Sequence, residues 1–179
     1  MQAYATILYH KVFLNPFSKY RSSFMAYWRL CYHFVWTTKD RQPLITPALE
    51  RPLYRWLYNE AKKFYCPFFY IGGIMDHVHI VTAVRPSVAP SEFVQQLKGS
   101  SSWFIGQEFR TSFYWQEGYG VFSVSDSLID TVKNYVLRQK SHHAKNSLVP
   151  TWEETHEWNL GPEPVEQNPD DFCSTGKPT

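Results

Sequence analysis

The chain has 179 residues, of which 44% are hydrophobic and 18% aromatic, so it can fold as one domain and is not a disordered protein. Its three cysteines are far apart without a C-x-x-C pair, which argues against a zinc ribbon or a disulfide framework and fits the reducing cytoplasm. Residues 1–150 carry 17 Lys and Arg against 9 Asp and Glu, whereas residues 151–179 carry 1 Lys against 7 acidic residues. A basic body suits a polyanionic partner such as nucleic acid, although many soluble domains are mildly basic.

The two ends of the chain differ from its middle. Residues 1–24 have no clear hydrophobic period and lack the charged and apolar regions of a signal peptide. We expect either that translation starts later, at Met25, or that this stretch is a loosely ordered extension, with residues 25–150 as the folded domain. Residues 151–179 are acidic and rich in proline, and we expect a tail with little order after Asn168.

The first half of the domain predicts three strands and one helix. Arg29–Thr37 is rich in aromatic and β-branched residues, which is typical of a strand. Pro47–Tyr65 has apolar residues at helical spacing and prolines near its start, so it predicts a helix. Phe68–Ile74 and His77–Val84 predict two more strands, joined by so short a connection that we expect an antiparallel hairpin. Gly72–Gly73 indicates a bulge or a close approach of another backbone.

The second half predicts a helix, a short strand and a closing helix. Pro90–Phe109 carries an apolar stripe at helical spacing, and Val121–Val124 follows a turn as a fourth strand. The closing helix starts near Ser125 or Asp126 and runs through about His142. The order β-α-β-β-α-β predicts an α+β, ferredoxin-like fold of the split βαβ type, an antiparallel sheet with two helices on one face, plus the added C-terminal helix.

His77 and His79 are candidate metal ligands on the third predicted strand. Side chains alternate along a strand, so both imidazoles project from one face while Val78 points into the core. Two neutral rings at this spacing can converge on one divalent ion. The alternative is that two histidines share a sheet face by chance and bind nothing.

Tyr135 and Gln139 are candidate partners of those histidines on the closing helix. Leu128, Val132 and Val136 recur with them at spacings of three, four and seven, so all five share one helix face. If this helix packs on the face that bears the histidines, Gln139 offers a carbonyl oxygen to the ion and Tyr135 brings its hydroxyl near. Otherwise Tyr135 is a packed core aromatic and Gln139 a boundary residue.

The combination has a chemical reason. A phenol has a pKa near 10 and is a weak nucleophile by itself at neutral pH. A cation beside a target phosphate withdraws charge, orients the scissile bond and favours the phenolate. Two imidazoles and an amide leave the ion its double charge and open positions, so the predicted cofactor is Mg²⁺ or Mn²⁺ rather than a closed zinc site.

Four stretches together resemble the single-tyrosine HUH transposases of small bacterial insertion sequences, a group that includes the REP-associated tyrosine transposases. The likeness spans about residues 26–145, and no motif stretch within it is broken. The stretches are Tyr32–Lys39, Asp76–Ile80, Glu92–Ser101 and Tyr135–Lys140.

The resemblance implies an activity and a set of roles. Members hold a divalent metal with two motif histidines, here His77 and His79, and a helix glutamine, here Gln139. The family nucleophile matches Tyr135, which would cut single-stranded DNA at hairpin-flanked element ends, form a 5′-phosphotyrosine link and free a 3′-hydroxyl for rejoining. Members work as homodimers whose sheets join, and Tyr135 would serve the metal site of its own or of the partner subunit.

Five cations are candidates for contacts with DNA phosphates, although each is more often an ordinary solvated charge. They are Lys98, Arg41, Lys39, Arg138 and Lys140. His142 and His143, just past the predicted helix, could contact DNA, but we interpret them first as a frayed polar helix end. We expect His33 to be a packed or hydrogen-bonded core histidine rather than a ligand.

Three other functions compete with strand transfer. The first is a domesticated relative that binds hairpins without cutting, although a pure binder needs no nucleophile. The second is a metal-dependent nuclease in which water attacks in place of Tyr135. The third is an RNA-binding ferredoxin-like domain, which would carry aromatics on its open sheet face in place of two histidines.

Overall fold

The structure, a computed structural model, describes residues 27–155, so the expectations for residues 1–24 and for the tail beyond Thr155 lie outside the described residues. Four strands and four α-helices make up this part of the chain. In chain order they are β1 (Cys31–Thr37), α1 (Pro47–Lys62), β2 (Phe69–Gly73), β3 (His77–Ala83), α2 (Pro90–Phe109), β4 (Gly120–Val124), α3 (Ile129–Leu137) and α4 (Gln139–Ala144). Within residues 27–155, no helix is long and apolar enough to cross a membrane.

The four strands form one sheet in the order β2-β3-β1-β4, and every neighbouring pair is antiparallel. β3 therefore lies between β1 and β2, the strands that α1 connects. This arrangement is the split βαβ topology, so the predicted ferredoxin-like fold and the predicted β2–β3 hairpin are both confirmed. The register pairs Val35 with His79 and His33 with Val81, which places all four side chains on one face of the sheet.

One face of the sheet packs against α1 and α2. Leu53 and Leu57, one turn apart on α1, are fully buried there, and each such side chain contributes about 1.5–3 kcal/mol by leaving water. From the strands, alternate side chains reach the same cluster, including Val78, as predicted. The larger strand and α2 members are Phe34, Trp36, Ile80, Phe93, Leu97 and Ile105. This cluster is called the helix-face core below.

The opposite face of the sheet packs against α3 through a smaller cluster, called the site-face core below. It consists of Cys31, Val81, Ala83, Val124, Val132 and Val136. The helix backbone comes very close to β2, because a Cβ atom placed on Gly72 would lie 1.8 Å from the carbonyl oxygen of Val136. β2 pairs with β3 in unbroken register, so the prediction from Gly72–Gly73 is confirmed in its second form, a close backbone approach.

The prediction of one continuous closing helix is wrong. It is preceded by a 3₁₀ turn at Asp126–Leu128 and divided at Arg138, whose φ of −107° and ψ of 17° lie outside the helical range. α4 then begins at Gln139 as a separate short helix. Residues at helical spacing continue on both sides of Arg138, and the predicted closing helix contains no glycine or proline. No local sequence signal therefore marks this break.

Candidate active site

Three buried histidines lie on the site face of β1 and β3. His77, His79 and His33 expose 1%, 0% and 1% of their surface. His77 and His79 share this face because strand side chains alternate, and their ring centroids are 4.9 Å apart. His33 stacks on His79 with ring centroids 5.1 Å apart. His33 is therefore a packed and hydrogen-bonded histidine, as predicted.

Neighbouring groups orient the two rings of the His-x-His motif. The Nδ1 atom of His77 lies 2.6 Å from Oδ1 of Asp76 and donates to that carboxylate, which orients the ring. The Nδ1 atom of His79 shares a 2.9 Å hydrogen bond with Nε2 of His33. Burial lowers the pKa of His79, and burial with neighbouring His79 lowers the pKa of His33 to about 3. These lowered pKa values keep His79 and His33 neutral at physiological pH.

The helices that follow β4 bring the other two predicted residues to the histidines. Oε1 of Gln139, at the start of α4, lies 3.3 Å from Nε2 of His77. The Tyr135 ring on α3 packs edge-on against His79, with centroids 5.9 Å apart. Both Tyr135 and Gln139 are buried. The four residues singled out from sequence thus form one cluster in this chain.

Glu153 is a member of the cluster that sequence reasoning missed. Its Oε2 atom lies 3.2 Å from Nε2 of His79 and 3.6 Å from Nε2 of His77, and its Oε1 atom accepts a hydrogen bond from the Tyr135 hydroxyl. The backbone N–H of Val149 donates to the same hydroxyl at 3.3 Å. Nothing in its local sequence distinguishes Glu153 from the six other acidic residues after position 150.

The pKa values of Tyr135 and Glu153 move in opposite directions. Burial, together with the hydrogen bond to Glu153, raises the pKa of Tyr135 to about 12. Burial alone would raise the pKa of Glu153, but the nearby His79 ring, the hydrogen bond from Tyr135 and the nearby His77 ring outweigh it and lower that pKa to about 2. At neutral pH the tyrosine is a protonated donor and the glutamate an ionised acceptor.

The cluster fits a divalent cation. Nitrogen atoms of His77 and His79 and a carboxylate oxygen of Glu153 all lie within 4.8 Å of one another. Nε2 of His79 is buried and has no hydrogen-bond partner of acceptable geometry among residues 27–155, although the Glu153 oxygen lies near it. A lone pair facing a carboxylate is stabilised by a positive charge between them. Two imidazole nitrogens and one carboxylate oxygen are donors that divalent metal ions accept in proteins.

His142 and His143 are not a frayed helix end, which corrects the prediction for them. Nε2 of His143 lies 3.2 Å from Nε2 of His77, and the ring of His142 packs 4.8 Å from the Tyr135 ring. Burial is the main cause of a lowered pKa for His143. Sequence could not show this, because the contacts depend on where α4 turns after the break at Arg138.

The five candidate phosphate contacts are scattered, and most have protein partners. Lys98 donates to the carbonyl oxygens of Gln116 and Gly118 at 2.6 and 2.8 Å, and so holds the loop before β4. The other four lie on the surface. Lys140 pairs with Glu50 at 2.6 Å, Arg41 with Asp76 at 3.6 Å, and Lys39 with Asp40 at 3.9 Å, while Arg138 is exposed at the α3–α4 break.

Known proteins with a similar fold are transposases. A relative, the ISDra2 transposase TnpA of Deinococcus radiodurans, is 24% identical over 119 residues, which is 63% of this chain and 85% of the relative. A 1.90 Å crystal structure from that organism superposes with a TM-score of 0.52 at 22% identity, covering 63% of this chain and 92% of the other. A REP-associated tyrosine transposase bound to a REP hairpin has a TM-score of 0.47 at 14% identity, over 70% and 77% of the two chains.

The family model described as "Transposase IS200 like" matches residues 26–139, the segment that holds β1 through the start of α4. The matched segment includes both histidines of the His-x-His motif, Tyr135 and Gln139. Because this match covers well over half of the chain, the protein belongs to the family of IS200-like transposases.

Proposed function

We propose that this transposase cuts and rejoins single-stranded DNA through a covalent 5′-phosphotyrosine link on Tyr135, assisted by Mg²⁺ or Mn²⁺ held by His77, His79 and Gln139. The observation that carries the proposal is the meeting of a phenol, an amide oxygen and two imidazole nitrogens in one buried cluster. A binding module has no need to bury a tyrosine hydroxyl beside two oriented histidines.

The residues of the chain have separable roles in this mechanism. Asp76 orients the His77 ring and His33 the His79 ring, and the Nε2 atoms of both rings lie within 3.6 Å of Glu153 Oε2. A divalent cation bound there would draw charge from the scissile phosphate and favour loss of the phenol proton. That help is needed, because a phenol with a pKa of about 12 is almost wholly protonated at pH 7.

The strand-transfer step conserves bond energy. The Tyr135 oxygen forms a bond to phosphorus as the phosphorus–O3′ bond breaks, the phenol loses its proton and the departing oxygen becomes a 3′-hydroxyl. One phosphodiester replaces another, so reversal on a new 3′-end needs no nucleotide triphosphate.

We also propose a substrate and an oligomeric state for this protein. Hairpin-flanked element ends and a homodimer follow from the resemblance to single-tyrosine HUH transposases. Lys98, Arg41, Lys39, Arg138 and Lys140 are proposed to contact the DNA backbone, with the four surface cations best placed to do so. In the single chain described here, Tyr135 lies beside the histidines of its own subunit.

The experiment is incubation of the full chain with labelled single-stranded hairpin oligonucleotides and Mn²⁺, followed by a denaturing gel. The wild type is expected to form a covalent protein–DNA adduct, and Tyr135→Phe to bind the DNA without forming one. Tyr58→Phe on α1 is a matched control that should keep the adduct, because Tyr58 lies on the helix face.

Two outcomes contradict the proposal. Cleavage that persists in Tyr135→Phe would show that water is the nucleophile and that the protein is a metal-dependent nuclease. Failure of the wild type to cut any hairpin that it binds would favour a domesticated hairpin-binding protein.

A further inference from the structure

Glu153 is held in the cluster by a built segment of the chain. After α4, residues 149–155, called the return segment below, pass back across the site face. The Trp152 ring packs edge-on against Tyr135 at 5.0 Å and His33 at 6.0 Å between centroids. The backbone of Glu154 lies against Gly120, where an added Cβ atom would come 2.1 Å from the Glu154 oxygen. Contacts on both sides of Glu153 therefore fix its position.

The spacing of the polar atoms is that of adjacent ligands around one ion. Mg²⁺ and similar cations take roughly six ligands at about 2.0–2.2 Å in octahedral geometry, which puts neighbouring ligand atoms about 3 Å apart. Glu153 Oε2 lies 3.2 Å from His79 Nε2 and 3.6 Å from His77 Nε2, and Gln139 Oε1 lies 3.3 Å from His77 Nε2. Glu153 thus has the same spacing to the histidines as Gln139.

The negative charge of Glu153 and the hydrogen bonding around it also fit a cation at this position. The side chain of Glu153 is only 17% exposed, and its Oε2 atom faces the Nε2 atoms of both His77 and His79. Among residues 27–155, His79 Nε2 has no hydrogen-bond partner of acceptable geometry, so a hydrogen bond to this nitrogen does not account for the carboxylate's place. An acceptor oxygen against nitrogen lone pairs is costly in a buried site unless a positive charge lies between them.

From this geometry we infer that Glu153 is a further ligand of the catalytic divalent cation, beside His77, His79 and Gln139. The inference rests on the proposed metal site. Its consequences are chemical: an anionic oxygen ligand strengthens binding of hard ions such as Mg²⁺ and Mn²⁺ and leaves about two of six positions for DNA phosphate oxygens or water. Because the second oxygen of Glu153 accepts from the Tyr135 hydroxyl, the same side chain ties the nucleophile to the ion.

The test is Mn²⁺ binding to the full chain without DNA, measured by calorimetry and by the electron paramagnetic resonance of free Mn²⁺. Glu153→Gln keeps the size of the side chain and its acceptor for Tyr135 but removes the charge, and we expect at least a tenfold loss of affinity. Glu154→Gln, one residue along and exposed, makes the same change in net charge and should bind Mn²⁺ like the wild type.

His77→Ala separates failure of this inference from failure of the proposed function. If His77→Ala loses Mn²⁺ binding while Glu153→Gln keeps wild-type affinity, Glu153 is not a ligand and the inference is overturned. If neither variant loses affinity, the metal site itself is wrong. Circular dichroism in EDTA checks folding, and Glu153→Ala, with the same expected loss, is the second variant should Glu153→Gln fail to fold.

Discussion

The two faces of the sheet differ in the side chains that they bury. The helix face buries large side chains such as Phe34, Trp36 and Leu53 between the strands and two long helices. The site face has a small cluster of short side chains, and beside it three buried histidines take the place that apolar residues would otherwise fill. Because buried polar groups cost free energy, the site face depends on stability that the helix face contributes.

β1 and β3 contribute buried side chains to both faces of the sheet. Every residue of β3 is buried, and its side chains alternate between the helix face and the site face, where His77 and His79 are followed by Val81 and Ala83 of the site-face core. A change on one face therefore need not disturb the other. We expect mutations on the helix face to unfold the protein, and mutations on the site face to abolish function first.

Core substitutions on the two faces should differ most. Leu53→Ala on the helix face is expected to cost about 2–5 kcal/mol, because it removes a fully buried side chain from a tightly packed cluster. Val132→Ala on the site face should cost only about 1–2 kcal/mol, since it loses two methyl groups. Urea denaturation measures both values, and equal losses would refute the division between the faces.

Gly72→Ala should displace α3 from the sheet while leaving the sheet itself intact. The new methyl group would collide with the Val136 carbonyl, and overpacking of this kind costs about 1–3 kcal/mol. We expect near-native circular dichroism with loss of Mn²⁺ binding and of the covalent DNA adduct. Gly99→Ala is the matched control: nothing lies within 4 Å of its added Cβ, so it should stabilise α2 by about 0.5–1 kcal/mol. Full activity in Gly72→Ala would contradict the docking of α3.

Removal of metal should affect the site face alone. At a Mn²⁺ concentration about tenfold above its dissociation constant, binding adds about 1.4 kcal/mol to the free energy of unfolding. EDTA should remove this increment and stop adduct formation, yet the chain should stay folded because the helix-face core is apolar. Thermal unfolding measures the shift, which should vanish in His79→Ala. Unfolding of the wild type in EDTA would show that the metal is structural.

The smallest effect is expected for single surface cations. Arg138→Gln, at the exposed break on the site face, should weaken binding of single-stranded DNA a few-fold and lower the salt slope by about 0.7, without changing stability. Arg55→Gln, on an exposed position of α1, is the control that should leave DNA binding unchanged. Fluorescence anisotropy over a range of salt measures both, and equal losses would place DNA on both faces.

Much of this molecule follows from periodicity within short segments. Alternation along β3 alone is enough to separate His77 and His79 from Val78, and the apolar stripe of α1 alone marks its buried side. The order of such segments then leaves few topologies, and the split βαβ sheet was confirmed. The prediction that Tyr135 and Gln139 lie close together has the same local origin, although the structure places them on two helices, α3 and α4.

Only the tertiary structure decided the contacts between residues that are far apart in the sequence. Arg138 interrupts the closing helix at a point that the apolar period passes without a signal, and α4 then presents His143 to His77. Glu153 reaches the histidines because Trp152 and the backbone near Gly120 hold the return segment in place. These contacts join residues far apart in the chain, and their free energy depends on packing and desolvation that a linear pattern does not contain.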